Sequence, residues 1–370
     1  MTFAPLLRIA VTVAAVVLAG TGAVSPARAD ALQDVLDGYV EEEELPGGLL
    51  LFSDPRHRQL VVAGVANRRN SAPVTPDSRF YVASVGKMTV AAATLQLVEE
   101  GRLSLDAPVA PLVAHLPGLA KLANLRSARL GQLLDHSSGI PDYLTDAFES
   151  DSRADAKRRW TAAEVLSYAV GERATNRPGQ SHEYSNSNFV LLGEIIATAD
   201  GTTLAEVLQR RIFDRAGMTR TTVGVTNPND PALVRGYADI AENGRLQDVS
   251  LLSWNFPFGD GPLVTTAGDM ERFLFALFRD GKLLQPATLA QMVAPSGQEA
   301  EYGLGTERGK DKWGRWFGHT GTFDGFDAEV RYYPEHKAAL VFMANGNTSS
   351  DTSVIKQAAG AVFRGRKPGN

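Results

Sequence analysis

The stretch "FYVASVGKMTVAAATLQLVEEG", Phe80 to Gly101, reads as a strand end followed by a long helix that Ser84 opens, apolar on nearly every side: Val90, Ala91, Ala92, Ala93, Leu95, Leu97 and Val98 leave no continuous polar face. A helix of that kind does not lie on a surface; other elements must enclose it. The chain therefore needs a core large enough to surround a central helix. With 370 residues, 44% hydrophobic and 21% charged, it has the material. One large domain or two intimate subdomains fit.

The surrounding elements are legible from pattern. "GLLLFS" and "QLVVAGVA" flank the turn-rich "DPRHR" and read as paired strands. The sequence "ALQDVLDGYVEEEE" before them has helical spacing. The segments "ARLGQLLDH", "TAAEVLSYAVGE", "SNFVLLGEIIATADG" and "TLAEVLQRRIFDRAGM" read as helices, two of them closed by glycine. Strands return in "GRWFGHTG", "FDAEVRYYP" and "KAALVFMANGN", before a last helix in "DTSVIKQAAGAVFRG". Strands at both ends thus bracket a helical middle. The economical assembly is an α/β (α+β) domain: one sheet from about 30–106 and 241–370, with a helical subdomain at about 107–240. The cleft between them is the expected ligand site.

The first residues are different. Arg8 is the only charge before Arg28, the run Ile9–Gly20 is apolar but short of a membrane span, and Ala27 and Ala29 make an A-x-A cleavage site. Residues 1–29 read as a secretory signal peptide cleaved near Ala29-Asp30, leaving residues 30–370 secreted (extracellular or periplasmic) with no membrane anchor. Removing Arg8 and Arg28 moves the formal charge from -5 to -7. No basic block suggests a nucleic-acid partner. With no cysteine there is no thiolate metal site, and no other spacing suggests a metal or cofactor.

Ser84 opens the apolar central helix and Lys87 follows three residues later, hence on the same face. A lysine is misplaced in a first turn, where the helix dipole is positive. Burial and that dipole both lower its pKa, so it can accept a proton from a neighbouring hydroxyl. The Ser84 N–H would be one of the unpaired donors of a helix start, an oxyanion site. Taken alone, S-x-x-K also reads as an N-cap beside an outward lysine.

Two further stretches bear on that choice: Tyr184-Ser185-Asn186 before a helix, and His319-Thr320-Gly321 on a strand entering a glycine-rich turn. In this order the three resemble the S-x-x-K, Y-x-N and K-T-G or H-T-G signature of penicillin-recognising serine hydrolases. This is the class C β-lactamase and secreted D-alanyl-D-alanine carboxypeptidase type, with family VIII-like esterases. "LLDHSSGIPDY" and "GPLVTTAGDM" also look like recurrent family segments. The resemblance implies an antiparallel sheet flanked by N- and C-terminal helices, with an inserted all-helical subdomain. It makes Ser84 the acyl-accepting nucleophile and has Lys87 and Tyr184 share the proton work, with a phenolate whose pKa Lys87 pulls down. It has Asn186 bind a substrate amide carbonyl, Thr322 supply a second oxyanion N–H, and Thr320, within His319-Thr320-Gly321, contact a substrate carboxylate.

His319 stands where most class C enzymes carry lysine, which weakens the β-lactamase reading. The leading expectation is a D-alanyl-D-alanine carboxypeptidase acting on a small peptide, such as a peptidoglycan stem peptide. The alternatives are an esterase, a weak class C-like β-lactamase acting on a β-lactam, or a non-catalytic penicillin-binding module. A carboxypeptidase needs a cation for the free carboxylate, and Arg308, Lys310, Lys312 and Arg315 are candidates. Gly86 is expected to clear the cleft floor. Trp254, Phe256 and Phe258 are expected to pack, with some cleft edge. His136 with Asp135 tempts a triad, but adjacent residues do not converge on one substrate.

Overall fold

The computed structural model describes residues 26–347 and 353–364. The apolar run Ile9–Gly20 lies outside the described residues, as does most of the basic C-terminal tail. The expected cleavage point falls inside the first helix, α1 (Pro26–Glu42).

The main sheet has seven strands, β1 (Gly47–Ser53), β2 (Arg58–Asn67), β3 (Ala72–Pro73) and four late strands. Between them in the chain come β4 (Phe80–Tyr81), β5 (Thr222–Val223), β6 (Tyr237–Ala238), β7 (Gln247–Asp248) and β8 (Leu263–Thr265). The late strands are β9 (Glu307–Asp311), β10 (Gly314–Phe323), β11 (Phe326–Tyr333) and β12 (Ala338–Ala344). Their spatial order is β3-β2-β1-β12-β11-β10-β9, antiparallel throughout, so the two chain ends meet at the β1–β12 pair. The hairpin between β1 and β2 is held by the Asp54 carboxylate, which accepts from the N–H groups of Arg56 (2.7 Å) and His57 (2.8 Å).

The strands β1 and β12 are apolar without alternation because both faces of the sheet are covered. Leu50, Phe52, Leu340 and Phe342 face one layer, where α1 packs with the C-terminal helix Ser353–Phe363. Leu49, Leu51, Val341 and Met343 face the other, which is continuous with the main core. The central helix α2 (Lys87–Glu99) is enclosed as its composition requires, with every residue from Lys87 to Leu97 buried. It packs against α3 (Asn186–Asp200), whose C-terminus is closed by Gly201 at φ 66°.

Two details depart from the expected layout. The segment 107–240 is not all helical: it contains β5, which joins β4 and β8 in a small sheet, and β6, which pairs with β7. The sequence also hides β9. "ERGKD" has no apolar alternation because it is an edge strand, where charge deters pairing with other chains.

Candidate active site

Ser84 does not open the helix. It lies in a single 3₁₀ turn, Ala83–Gly86, and α2 begins at Lys87. Ala83 is held at φ 44°, a left-handed conformation uncommon for a residue with a side chain. The turn packs against β10 at Gly321. A Cβ there would stand 2.4 Å from the Val82 carbonyl oxygen and 3.0 Å from the Ser84 nitrogen, so only glycine permits the approach. Gly86 is likewise buried, but against Pro262: a Cβ would lie 2.6 Å from the Pro262 ring. Its role is packing beneath the turn, not clearance of the cleft floor.

Lys87 is fully buried, and its ammonium donates three hydrogen bonds of 2.8 Å, to Ser84 Oγ, Asn186 Oδ1 and the Asp260 carbonyl oxygen. Burial lowers its pKa to about 8, against the opposing charges of Asp260, Asp142 and Glu307. The Asn186 amide is oriented from its other end, donating to Asp142 Oδ2 at 2.9 Å. Its carbonyl serves Lys87. A substrate carbonyl would have to share the Nδ2 group already given to Asp142.

Tyr184 hydrogen-bonds Ser84, and Lys87 Nζ lies 4.9 Å from its ring centre. The expectation of a depressed phenol pKa fails. Burial of the group pushes it well up, the Ser84 hydrogen bond pulls the other way, and Glu307, Asp260 and Asp142 add to the rise. The residue is 40% exposed, which softens the burial effect, and the charges of Glu307, Asp260 and Asp142 act in the same upward direction. Tyr184 is therefore a neutral phenol at rest, and Lys87 is the group poised to accept a proton.

His319 is buried, and a single neutral tautomer satisfies it: Nδ1–H to the Thr320 carbonyl, and Nε2 accepting from the Tyr302 hydroxyl at 3.0 Å. Burial pushes its pKa below the ordinary value, with Glu307 opposing. The lysine charge that most class C enzymes carry at this position has no counterpart in His319. Thr320 is also occupied: its N–H (3.1 Å) and hydroxyl (2.6 Å) both donate to Glu307 Oε1. The pairing of β9 with β10 ends at Gly318, leaving the β10 edge beyond it open. The Thr320 N–H points to that edge, and by strand periodicity the Thr322 N–H does too. The Thr322 hydroxyl donates to Asp327 at 3.0 Å. Ser84 N–H has no acceptor among the described residues. Of the candidate cations, Arg315 pairs with Glu335 and Lys312 lies over Trp313; none of the four is among the principal charges acting on Lys87, Tyr184 or His319.

Several site residues carried no clear signal. His136 stacks on Tyr184 with ring centres 4.2 Å apart, while its Nδ1 accepts from the Ser185 N–H at 3.2 Å. Asp135 instead accepts from Ser137, so the two form no triad. Tyr143 donates to Asp260 Oδ2 at 2.7 Å. The segment "LLDHSSGIPDY" is thus a scaffold for Tyr184, Asn186 and Asp260, all brought to it by tertiary contact. Trp254 and Phe256 are buried; Phe256 packs on Phe148, Trp160 and Phe258. Among the described residues no group of histidines and acids could hold a metal ion, and no helix is long and apolar enough to cross a membrane.

Residues 32–362 match the Beta-lactamase family model. Penicillin-binding protein 4* of Bacillus subtilis (strain 168) is 25% identical over 320 residues, covering 81% of this chain and 68% of that one. A D-aminopeptidase of Brucella anthropi is 28% identical over 76% of this chain, which spans about half (52%) of that protein's length. The D-amino acid amidase from Ochrobactrum anthropi SV3, solved with L-phenylalanine amide, superposes with a TM-score of 0.79 at 26% identity, over 92% of this chain and 99% of its own.

Proposed function

The chain belongs to the beta-lactamase family of serine hydrolases, and on that premise we propose that it cleaves amide or ester bonds of small substrates through an acyl-Ser84 intermediate. The observation that carries this reading is the contact of Lys87 Nζ with Ser84 Oγ at 2.8 Å, together with a lysine pKa lowered to about 8. Neutral Lys87 takes the Ser84 proton as Oγ attacks the carbonyl carbon. The resulting oxyanion meets the Ser84 N–H and, in this reading, the Thr322 N–H. The bond to the leaving group breaks as that group takes the phenol proton of Tyr184, and Lys87 returns its proton to Tyr184. Water then attacks the acyl-serine by the reverse route, releasing the acid.

The finer activity expected from the sequence, a D-alanyl-D-alanine carboxypeptidase, requires a cation beside Thr320. The groups found there are a neutral His319 and the Glu307 carboxylate. Hydrolysis of a D-amino-acid amide needs no such cation. It is the reading we favour, supported by the amidase and D-aminopeptidase relatives. Secretion remains part of the proposal, resting on residues 1–29.

A fluorophosphonate probe is expected to label Ser84 and to fail with Ser84→Ala; a label mapped to Ser137 or Ser138 would overturn the assignment. Parallel turnover of a D-amino-acid amide, a D-Ala-D-Ala peptide, a chromogenic cephalosporin and a p-nitrophenyl ester ranks the substrates.

A further inference from the structure

Glu307 is the part of the cleft that the chemistry above leaves unused. It sits at the end of β9, paired in register with Gly318, and its side chain reaches onto the open edge of β10. There its Oε1 takes both donors of Thr320, at 3.1 Å from the N–H and 2.6 Å from the hydroxyl, and lies 3.3 Å from His319 Nδ1. Its Oε2 has no hydrogen-bond partner among the described residues, and the side chain keeps 22% of its surface. No lysine or arginine lies within ion-pair distance of it among the described residues. Its charge acts on the cleft nonetheless, and Asp142 and Asp260 act with the same sign.

The position along the strand says which part of a substrate meets it. Thr320 lies two residues, about 6–7 Å, before the proposed oxyanion donor Thr322. It lies on the side of His319 and Tyr302, whose rings adjoin Tyr184, the proposed proton donor to the leaving group. A leaving group seated there would find the Thr320 donors already taken by one carboxylate oxygen and a second carboxylate oxygen facing it. A free carboxylate would lose its partners and meet a like charge. A protonated amine would meet an open acceptor.

We propose that Glu307 selects the charge of the leaving group, holding one that bears a primary ammonium and rejecting one that ends in a free carboxylate. The proposal rests on the acyl-Ser84 reading for its geometry, but its test does not depend on turnover.

Three ligands share the N-acetyl-D-alanyl part: N-acetyl-D-alanyl-D-alanine (anionic), its C-terminal amide (neutral) and N-acetyl-D-alanine (2-aminoethyl)amide (cationic). Their binding to the Ser84→Ala protein is measured by calorimetry, and their turnover with the otherwise unaltered enzyme. The cationic ligand is expected to bind about 10- to 100-fold more tightly than the anionic one, with the neutral amide between. Adding Glu307→Gln, which keeps an acceptor for Thr320, compresses the series to within about threefold; adding Glu307→Arg inverts it. Anionic and cationic ligands binding equally, an order unchanged by Glu307→Arg in protein that melts cooperatively, or no measurable binding of the cationic ligand would overturn the proposal. Loss of the acyl-Ser84 reading has a separate signature: no fluorophosphonate label on Ser84 and no hydrolysis of p-nitrophenyl butyrate, whatever the order of the three affinities.

Discussion

The proton-accepting role of Lys87 makes a quantitative prediction about pH. Burial takes its pKa from 10.5 to about 8, a drop equivalent to about 3 kcal/mol of disfavoured charge. At pH 7 about one molecule in ten then carries a neutral lysine, against about one in 3,000 for an unperturbed one, a gain of roughly 300-fold in competent enzyme. The rate of Ser84 acylation, read as kcat/KM for a p-nitrophenyl ester, should rise about tenfold per pH unit below 8 and level off above it. The perturbation is Asp260→Asn. Asp260 is the largest charge opposing the shift, and asparagine keeps an acceptor for Tyr143 while the backbone oxygen still serves Lys87. Removing that negative charge should move the limb below pH 8. Tyr184→Phe should slow acylation and leave the limb in place, because a phenol pushed above its ordinary range is not the group titrating there. A flat profile between pH 6 and 9 would refute the reasoning, as would a limb that moves upward in Asp260→Asn.

Two further predictions follow from the packing around the nucleophile. Gly321→Ala places a methyl against backbone atoms of Val82, Val85 and Ser84, so the turn and β10 must part; labelling of Ser84 should slow about 100-fold and stability fall by about 1–3 kcal/mol in chemical denaturation. His136→Asn keeps an acceptor for Ser185 and tolerates the φ of 57°, but removes the ring stacked on Tyr184; kcat should fall about tenfold with little change in KM. The same variant tests the buried imidazole. Burial holds the folded His136 pKa well below 6.5, so below that pH the unfolded chain binds a proton that the folded one refuses, and its contribution to stability declines on acidification. The stability difference between wild type and His136→Asn should therefore shrink from pH 7.5 to pH 5; a constant difference would place the imidazole in a solvated state.

Much of the framework follows from local pattern. An all-apolar α2 demanded enclosure, and the unbroken apolar runs of β1 and β12 belong to strands covered on both faces. Lys87 stood out as a cation misplaced in a first helical turn, whereas Ser84, Tyr184 and Asn186, each suited to a structural role taken alone, were picked out by the resemblance of the three motifs together. What the linear chain did not contain was the electrostatics. Lys87 is bonded to Asn186, 99 residues away, and to Asp260, 173 residues away. Glu307 reaches Thr320 from an edge strand whose charged sequence carries no strand signal. A pKa depends on burial and on every charge within several ångströms, and both are properties of the assembled fold. That is why burial, with three carboxylates adding to it, reversed the expected direction for Tyr184, and why His319 is a neutral imidazole fixed between Tyr302 and Thr320.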